Sequence, residues 1–534
     1  MHATFETNDA RSVLEEARSR GVTLWIDEGQ LRFRSPAGTM TAEMRGKISA
    51  HKPRIISLLL DAESKAPMPP TLRARPRPES VPIIRHHHDR WADMVARRNG
   101  VRFSCGPHFV ARVSGPLDIE VLTKSLQLLA VRHSILRARV VDAGNGPCFV
   151  YSRNAIVPTF IDLSTAPRGV TDERVQQVAS DLVWRPFDLA VDPWFRAFVL
   201  RLGPTDHVLG FVIHHFIADA RSIAIAAKEL FAIYGARVQG RASPLPRPPI
   251  QYHDYALAVN EWLDSDNVRR LEEFWRERLR GAPTTRIPPD ADVPPDAVGK
   301  EKIEFFDFPD SLTEKLRAVT DCHTVRMHAH LAAALSATLA NFSGSTDVLT
   351  LHRISGRSDP LLLDIVGAFF DMMALRVNID WEHTFAQCVG RTQQSFLESY
   401  ANSLYPFAMV RRLFPQVGAS GIAPLFNFTD AYEEERSPSG VEQPRGRGLM
   451  PSLRRFAVSW HPLETHLARN HPGFNLEIKH TARGFDAHIE YFEHRYTAET
   501  VDRFMHAFMG LLEAGVAHPD QPLHALLARL PPRV

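Results

Sequence analysis

Two adjacent histidines followed by an aspartate, in the run His214-His215-Phe216-Ile217-Ala218-Asp219-Ala220, are the residues whose types and spacing could do chemistry. A neutral imidazole near pH 7 can take a proton from an attacking amine or hydroxyl, and such a positioned transfer is worth roughly 10²–10⁴-fold in rate. Neighbouring side chains on an extended segment point to opposite faces, so at most one of the two rings can enter a given cavity. His215 is the candidate base, and His214 is expected to pack away from it. Asp219 admits two readings. Its carboxylate can cap a following helix by accepting orphan amide protons, or it can fix the local geometry four residues beyond the base. The backbone at Asp219 and Ala220 could offer an N–H to a developing oxyanion.

The flanking sequence supplies the elements that must hold these groups. Val208 to Ile213 is continuously apolar and reads as a buried strand. Beyond Asp219, the residues Ile223, Ala227, Leu230 and Tyr234 share one face of a helix. The histidines therefore sit where a strand hands over to a helix, a place that fixes side chains while leaving them facing a cavity. Upstream, Leu122, Leu126 and Leu129 stripe a helix opened by Pro116-Leu-Asp118; downstream, a strand from Phe485 to Phe492 and a helix from Ala498 to Ala514 close the chain.

At 534 residues the chain has material for roughly three to four units. Lys and Arg total 63 against 61 Asp and Glu, a near balance that makes no case for nucleic acid. Cys105, Cys148, Cys322 and Cys388 are far apart with no CxxC, which argues against a disulfide framework or structural zinc and suits a reducing cytoplasm. There is no signal-peptide pattern and no apolar run near the roughly 18 residues of a membrane span. His86, His87 and His88 invite a metal reading, but consecutive side chains diverge and no carboxylate cluster accompanies them; no metal site is expected. The Pro- and charge-rich stretch 61–80 reads as a semi-extended linker without a packed element, and Tyr432 to Arg455 as a mobile surface loop.

The histidine run resembles the HHxxxDG motif of nonribosomal peptide synthetase condensation domains, shared with chloramphenicol acetyltransferase-like acyltransferases; Ala220 replaces its glycine. Its surroundings extend the resemblance over about residues 81–530. Arg90 and Trp91 are what survives of the opening SxAQxRLW segment, and Arg132 to Val140 is similar to RHExLRT, with His133 structural. Pro186-Phe187-Asp188-Leu189 with Asp192 to Arg196 is similar to the PFDL…GPLxR block. Tyr252 to Ala256 matches a YxDFA-like segment, and Val348 to Arg357 a strand ending in Gly-Arg. Ile365 to Arg376 resembles IGxFVNTLxxR, with Asp371 and Met372 in place of Asn and Thr, and Tyr405-Pro406-Phe407 resembles DYPFE. Before all this, residues 1–60 read as helix, hairpin (Val22 to Arg34) and helix (from Thr41), an order that resembles the TubC-type β-hairpin docking domain.

These resemblances imply an α+β fold: two chloramphenicol acetyltransferase-like lobes in a V-shaped pseudo-dimer, preceded by a small docking domain. The divisions expected are 1–60 docking, 61–80 linker, 81–260 first lobe and 261–534 second lobe. The implied reaction is acyl transfer from a carrier-protein thioester to a nucleophile, with His215 as base and with His214, Asp219 and Ala220 completing the motif. By the same resemblance Asp219 pairs with an arginine of the other lobe, Arg357 rather than Arg353. The docking hairpin would receive a C-terminal linear motif of an upstream acyl or peptidyl carrier, with Arg32, Phe33, Arg34, Lys47, Lys52 and Arg54 supplying contacts; the alternative is an ordinary solvated basic face. No bound cofactor is expected, the acyl group arriving on the carrier's phosphopantetheine arm. Without adenylation or carrier segments, the chain reads as a free-standing cytoplasmic monomer. It would release its product as amide or ester onto a free small-molecule amine or alcohol. Peptide-bond formation between two carriers and an inert recruitment module of the same fold are the alternatives.

Overall fold

The computed structural model describes residues 13–14, 16–17, 22–27, 30–34, 40–56, 69–96, 106–144, 146–165, 171–291, 301–415, 424–430, 452–455 and 474–529. The architecture is α+β, with helices packed on sheets in two large lobes after a small N-terminal unit. In that unit β1 (Thr23–Asp27) pairs antiparallel with β2 (Gln30–Arg34), and the helix Ala42–Ala50 follows. Thr41 caps this helix, its hydroxyl accepting the Met44 amide at 3.1 Å. Val13, Leu14 and Ile55 are buried together, as are Ala17, Val22 and Met44, so the hairpin is held by a core of its own.

The first lobe contains β3 (Ser80–Pro82), β4 (His108–Ser114), β5 (Ala138–Asp142), β6 (Pro147–Tyr151), β7 (Thr159–Asp162), β8 (Phe195–Gly203) and β9 (Asp206–Ile213). The later part of the chain contains β10 (Glu301–Asp307), β11 (Asp347–Ile354), β12 (Asp371–Asn378) and β13 (Leu425–Asp430), then β14 (Ser452–Arg455), β15 (Asn475–His480) and β16 (Phe485–Phe492), all but β14 in the second lobe. A six-stranded sheet runs β10-β16-β15-β13-β11-β12 and a three-stranded one β3-β6-β5. The third sheet runs β14-β4-β9-β8-β7, so the late strand β14 lies in the sheet of the early lobe, antiparallel to β4. Ser452–Arg455 is thus paired strand where a loop was expected, because β4 offers it an open edge; residues 432–451 lie outside the described residues.

β9 is covered on both faces, by the helices Ile119–Arg132 and Ala220–Val238 in one core and by the helix Asp172–Trp184 in another. That two-sided burial is why Val208 to Ile213 is continuously apolar rather than alternating. Gly210 lets the Phe198 ring of β8 lie on the strand, since a Cβ there would come within 2.1 Å of it. In the second lobe the alanine-rich helix Thr324–Ser343 packs on the sheet with the helix Ala498–Ala517, whose Phe504 and Phe508 are fully buried.

The linker expectation is corrected in one respect. Residues 69–80 carry no helix or strand before Ser80, but they are pinned along the first lobe. The Arg75 amide donates to Asp254 at 2.8 Å, its guanidinium forks onto Glu261, and Arg77 lies 4.5 Å over the Tyr151 ring. Arginine forks and stacks more readily than a flexible linker composition suggests. No helix among the described residues is long and apolar enough to cross a membrane.

Candidate active site

β9 ends at Ile213, and the chain turns through His214 to Asp219 before the helix Ala220–Val238 begins. The His214 amide donates to the Trp194 carbonyl at 2.7 Å, so the turn inherits the position of β8. The His214 ring is buried between Trp194 (centroids 4.8 Å) and Phe187 (5.1 Å), and its Nδ1 accepts the Phe216 amide at 3.2 Å. Burial, with Arg90 nearby, pushes it down to about 3, so it is neutral. Its Nε2 finds no partner among the described residues.

His215 is only half-buried. Its Nδ1 lies 2.8 Å from the Ala218 carbonyl. A carbonyl only accepts, so in the neutral ring Nδ1 carries the proton and Nε2 keeps its lone pair. Burial, then the Arg90 charge, pushes the imidazole down to about 4, against the Ala218 carbonyl, which favours the protonated form. Near pH 7 the ring is a neutral acceptor of one defined tautomer. Phe370, from the second lobe, stacks on it with centroids 4.6 Å apart and planes 23° from parallel.

Arg90, in the helix His88–Ala96, donates to the His215 carbonyl at 3.2 Å, with its guanidinium 5.2 Å from the Phe370 ring and 5.6 Å from Phe216. Burial lowers it to about 10, still a cation at neutral pH. In the sequence Arg90 figures only as a remnant of a segment; nothing local to it signals contact with the candidate base. His86 and His87 are both pushed down by burial, and the His87 ring packs on Phe216 at 5.7 Å. Among the described residues, Glu477, His488 and Glu490 form the one group with ligand-type atoms within 4.8 Å of one another, and Arg353 donates to Glu477 there at 2.5 Å.

Asp219 makes the junction between the lobes. As helix cap, its Oδ1 accepts the Ser222 amide at 2.8 Å and hydroxyl at 2.7 Å. Its carboxylate also takes Arg357 Nη2 at 2.9 and 3.0 Å and Nε at 3.2 Å. Arg357 is buried, gives Nη1 to the carbonyls of Leu362 and Ile365, and stacks 4.2 Å over Phe369. A buried ion pair whose remaining donors are satisfied avoids the cost of an orphan charge. Ser222 extends the seam, its hydroxyl accepting the Gly367 amide at 3.0 Å and lying 2.9 Å from the Gly367 carbonyl. Gly356 permits the approach: its φ is +64°, and a Cβ there would lie 1.9 Å from the Phe369 carbonyl oxygen. Ala220 is the first helical residue and is exposed. His133 sits against Glu229 at 2.5 Å, remote in role from the turn.

In the N-terminal unit Arg32, Lys52 and Arg54 are exposed, and Phe33 is 47 % exposed with Arg45 5.7 Å over its ring. The Arg34 side chain lies outside the described residues. Lys47 is half-buried, its ammonium 3.0 Å from Glu16 and 2.9 Å from Glu43, so a docked motif would meet it already paired within the unit.

The condensation-domain family model matches residues 104–529, and the TubC N-terminal docking domain matches residues 11–60. One of the linear gramicidin synthase polypeptides of Brevibacillus parabrevis is 25% identical over 474 residues, 88% of this chain and 9% of that protein. Isonitrile lipopeptide synthase of Mycobacterium tuberculosis is 28% identical over 468 residues, 85% of this chain and 18% of that protein. The chain thus spans a small part of these relatives' length. Among solved structures, the X-domain in its complex with OxyB from teicoplanin biosynthesis superposes with a TM-score of 0.70 at 22% identity, covering 87% of this chain and 98% of that one. The condensation domain responsible for chain release from the enacyloxin polyketide synthase gives 0.65 at 20% identity, covering 98% and 96%.

Proposed function

Because the chain belongs to the condensation-domain family and carries a TubC-type docking domain, we propose that it transfers an acyl group from a docked carrier protein to a free amine or alcohol, releasing the product as amide or ester. The observation that carries this reading is the His215 imidazole, whose Nδ1 is committed to the Ala218 carbonyl while Nε2 is left as an acceptor on a half-buried ring. The acyl group arrives as a thioester on the carrier's phosphopantetheine arm. As the acceptor nitrogen or oxygen attacks the thioester carbon, His215 Nε2 takes its proton. The tetrahedral oxyanion collapses, the carbon–sulfur bond breaks, and the proton passes to the departing thiolate. Asp219 and Arg357 hold the two lobes around this event and do not touch the reacting atoms. An amide at the start of the helix Ala220–Val238 would donate to the oxyanion.

Carrier recruitment is assigned to the hairpin. The exposed Phe33 and the basic groups Arg32 and Lys52 suit an acidic, partly apolar linear motif, and the β2 edge suits strand addition. Release onto a free acceptor is supported by the likeness to the enacyloxin domain, which performs condensation-mediated chain release. The test loads a carrier bearing such a motif with an acyl thioester, offers a panel of free amines and alcohols, and follows the carrier by intact-protein mass spectrometry. Unloading that depends on a free acceptor and on His215 supports the reading. Unloading only with a second loaded carrier identifies peptide-bond formation between carriers instead.

The likeness to the X-domain, which was solved bound to OxyB, favours a second reading in which this fold recruits a partner enzyme. No unloading with any acceptor, together with capture of a partner by the purified chain, would establish it.

A further inference from the structure

We propose that Phe370 is a positioning residue: an aromatic plate from the second lobe that fixes the plane of the His215 ring, aims Nε2 and shields one face of the imidazole from water. The inference rests on the acyl-transfer reading of His215 and deepens it. In the IGxFVNT pattern the corresponding position is valine, which cannot stack. Here Phe370 lies 4.6 Å from the His215 centroid at 23°. No other ring in the described residues stacks on His215, and its only side-chain hydrogen bond there is to Ala218. That one bond fixes the tautomer and tethers one edge of the ring, and the plate constrains the plane of the rest.

The placement of Phe370 is over-determined from the first lobe. Its chain neighbours 367–369 are fastened to the same elements that carry His215. The Gly367 amide donates to Ser222 Oγ at 3.0 Å, the Tyr252 hydroxyl to the Ala368 carbonyl at 3.1 Å, and the Phe369 amide to Asp219 Oδ2 at 3.4 Å. Gly367 must lack a side chain, because a Cβ would come within 2.2 Å of the Tyr252 ring. On the other flank, Asp371 is anchored by the Met372 amide at 2.8 Å and the Phe407 amide at 3.0 Å. Phe370 is therefore held at both ends, and the lobes cannot separate without lifting it from the imidazole. Closure of the lobes and alignment of the base become one event.

The plate also acts with charge. Arg90 lies 5.2 Å over Phe370 and bonds the His215 carbonyl. The charged groups acting on His215 are Arg90 from its helix and Arg353 from β11, which disfavour the imidazolium, and Asp219 at the helix cap, which favours it; His214 adjoins. Dehydration by the plate adds to the two arginines.

The experiment titrates ¹³C-labelled histidine by NMR in the full chain, assigning His215 with His215→Ala, and runs kcat and KM against pH on the same proteins. In Phe370→Val the His215 midpoint rises by at least one unit toward 6.5. The kcat at pH 7 falls about tenfold as the ring loses alignment, while KM for the loaded carrier stays within twofold. Phe370→Tyr, which still stacks, restores both. An unchanged His215 midpoint in Phe370→Val overturns the proposal whether or not kcat falls, since lost activity alone reports a structural defect. The titration needs no substrate, so a wild-type chain that moves no acyl group but shows the shift refutes the acyl-transfer reading and leaves the plate intact.

Discussion

Replacing Asp219 with alanine separates a fold-holding carboxylate from a reacting one. In the native chain Asp219 answers Arg357, whose side chain is 1 % exposed and cannot reach water if its partner is lost. Removing one member of a buried pair costs about 3–5 kcal/mol, because the surviving charge stays desolvated. Asp219 also caps the helix Ala220–Val238 through the Ser222 amide, worth about 1 kcal/mol more. The two losses share one carboxylate and will not simply add. For a unit of roughly 430 residues, an unfolding entropy near 0.9 kcal/mol/K converts about 4 kcal/mol into a melting shift of about 4–5 °C. The assay is calorimetry on the wild type, Asp219→Ala, Asp219→Asn, Arg357→Met and Asp219→Ala with Arg357→Met. Asp219→Asn keeps most of the cap and should lie between the wild type and alanine. The double variant should melt above Asp219→Ala, since methionine removes the stranded cation, a coupling of about 2 kcal/mol. A wild-type melting temperature for Asp219→Ala, joined to lost turnover, would refute the reasoning and move the carboxylate to the reacting atoms.

His215→Ala should lower kcat by roughly 10²–10⁴-fold with its melting temperature unchanged; near-normal turnover in the acyl-unloading assay counts against general-base catalysis. Thermal stability should be level above pH 7 and fall as pH drops from about 6.5 toward 4. His214 and His215 sit at about 3 and about 4 when folded, so at these two histidines the unfolded chain takes up the protons in that window, outweighing Asp371, which burial raises to about 6 so that the folded chain takes up its proton first; melting curves level across pH 4–7 would contradict this. Gly356→Ala should cost soluble protein outright, given a positive φ and a 1.9 Å approach to the Phe369 carbonyl, and ordinary yield with native melting would show the seam is not that tight. Deleting residues 1–60 should raise KM for a motif-bearing carrier without changing kcat, and unaltered unloading at low carrier concentration would remove the hairpin from recruitment.

The strand–turn–helix around the histidines was legible because its signals are local. The apolar run is β9, the face of Ile223, Ala227 and Leu230 is a buried helix face, and Asp219 stands at the cap position. The hairpin and the helix capped by Thr41 were readable for the same reason. The extent of the α+β fold came from many short segments resembling one family. Contacts that leave no local trace were not legible. Lys47 looks like any exposed lysine until Glu16, 31 positions earlier, is folded against it. Ser452–Arg455 carries too few residues for an alternation to show, and its strand exists only because the β4 edge is there to pair with.

β14 and Phe370 have one thing in common, and it bears on how the site works. Each belongs to the later half of the chain and completes something begun in the earlier half: β14 the five-stranded sheet, Phe370 the surroundings of His215. Asp219 and Arg357 repeat the pattern from the other direction, a cap on the first lobe answered by a guanidinium of the second. His215, its stacking partner and the ion pair therefore come together only once both lobes have folded and met. An isolated first lobe would carry His215 without its stacking partner and a buried carboxylate without its cation. Such a fragment should hold its helix cap less firmly without Arg357, so that on the acyl-transfer reading a directed Nε2 belongs to the closed pair rather than to the motif.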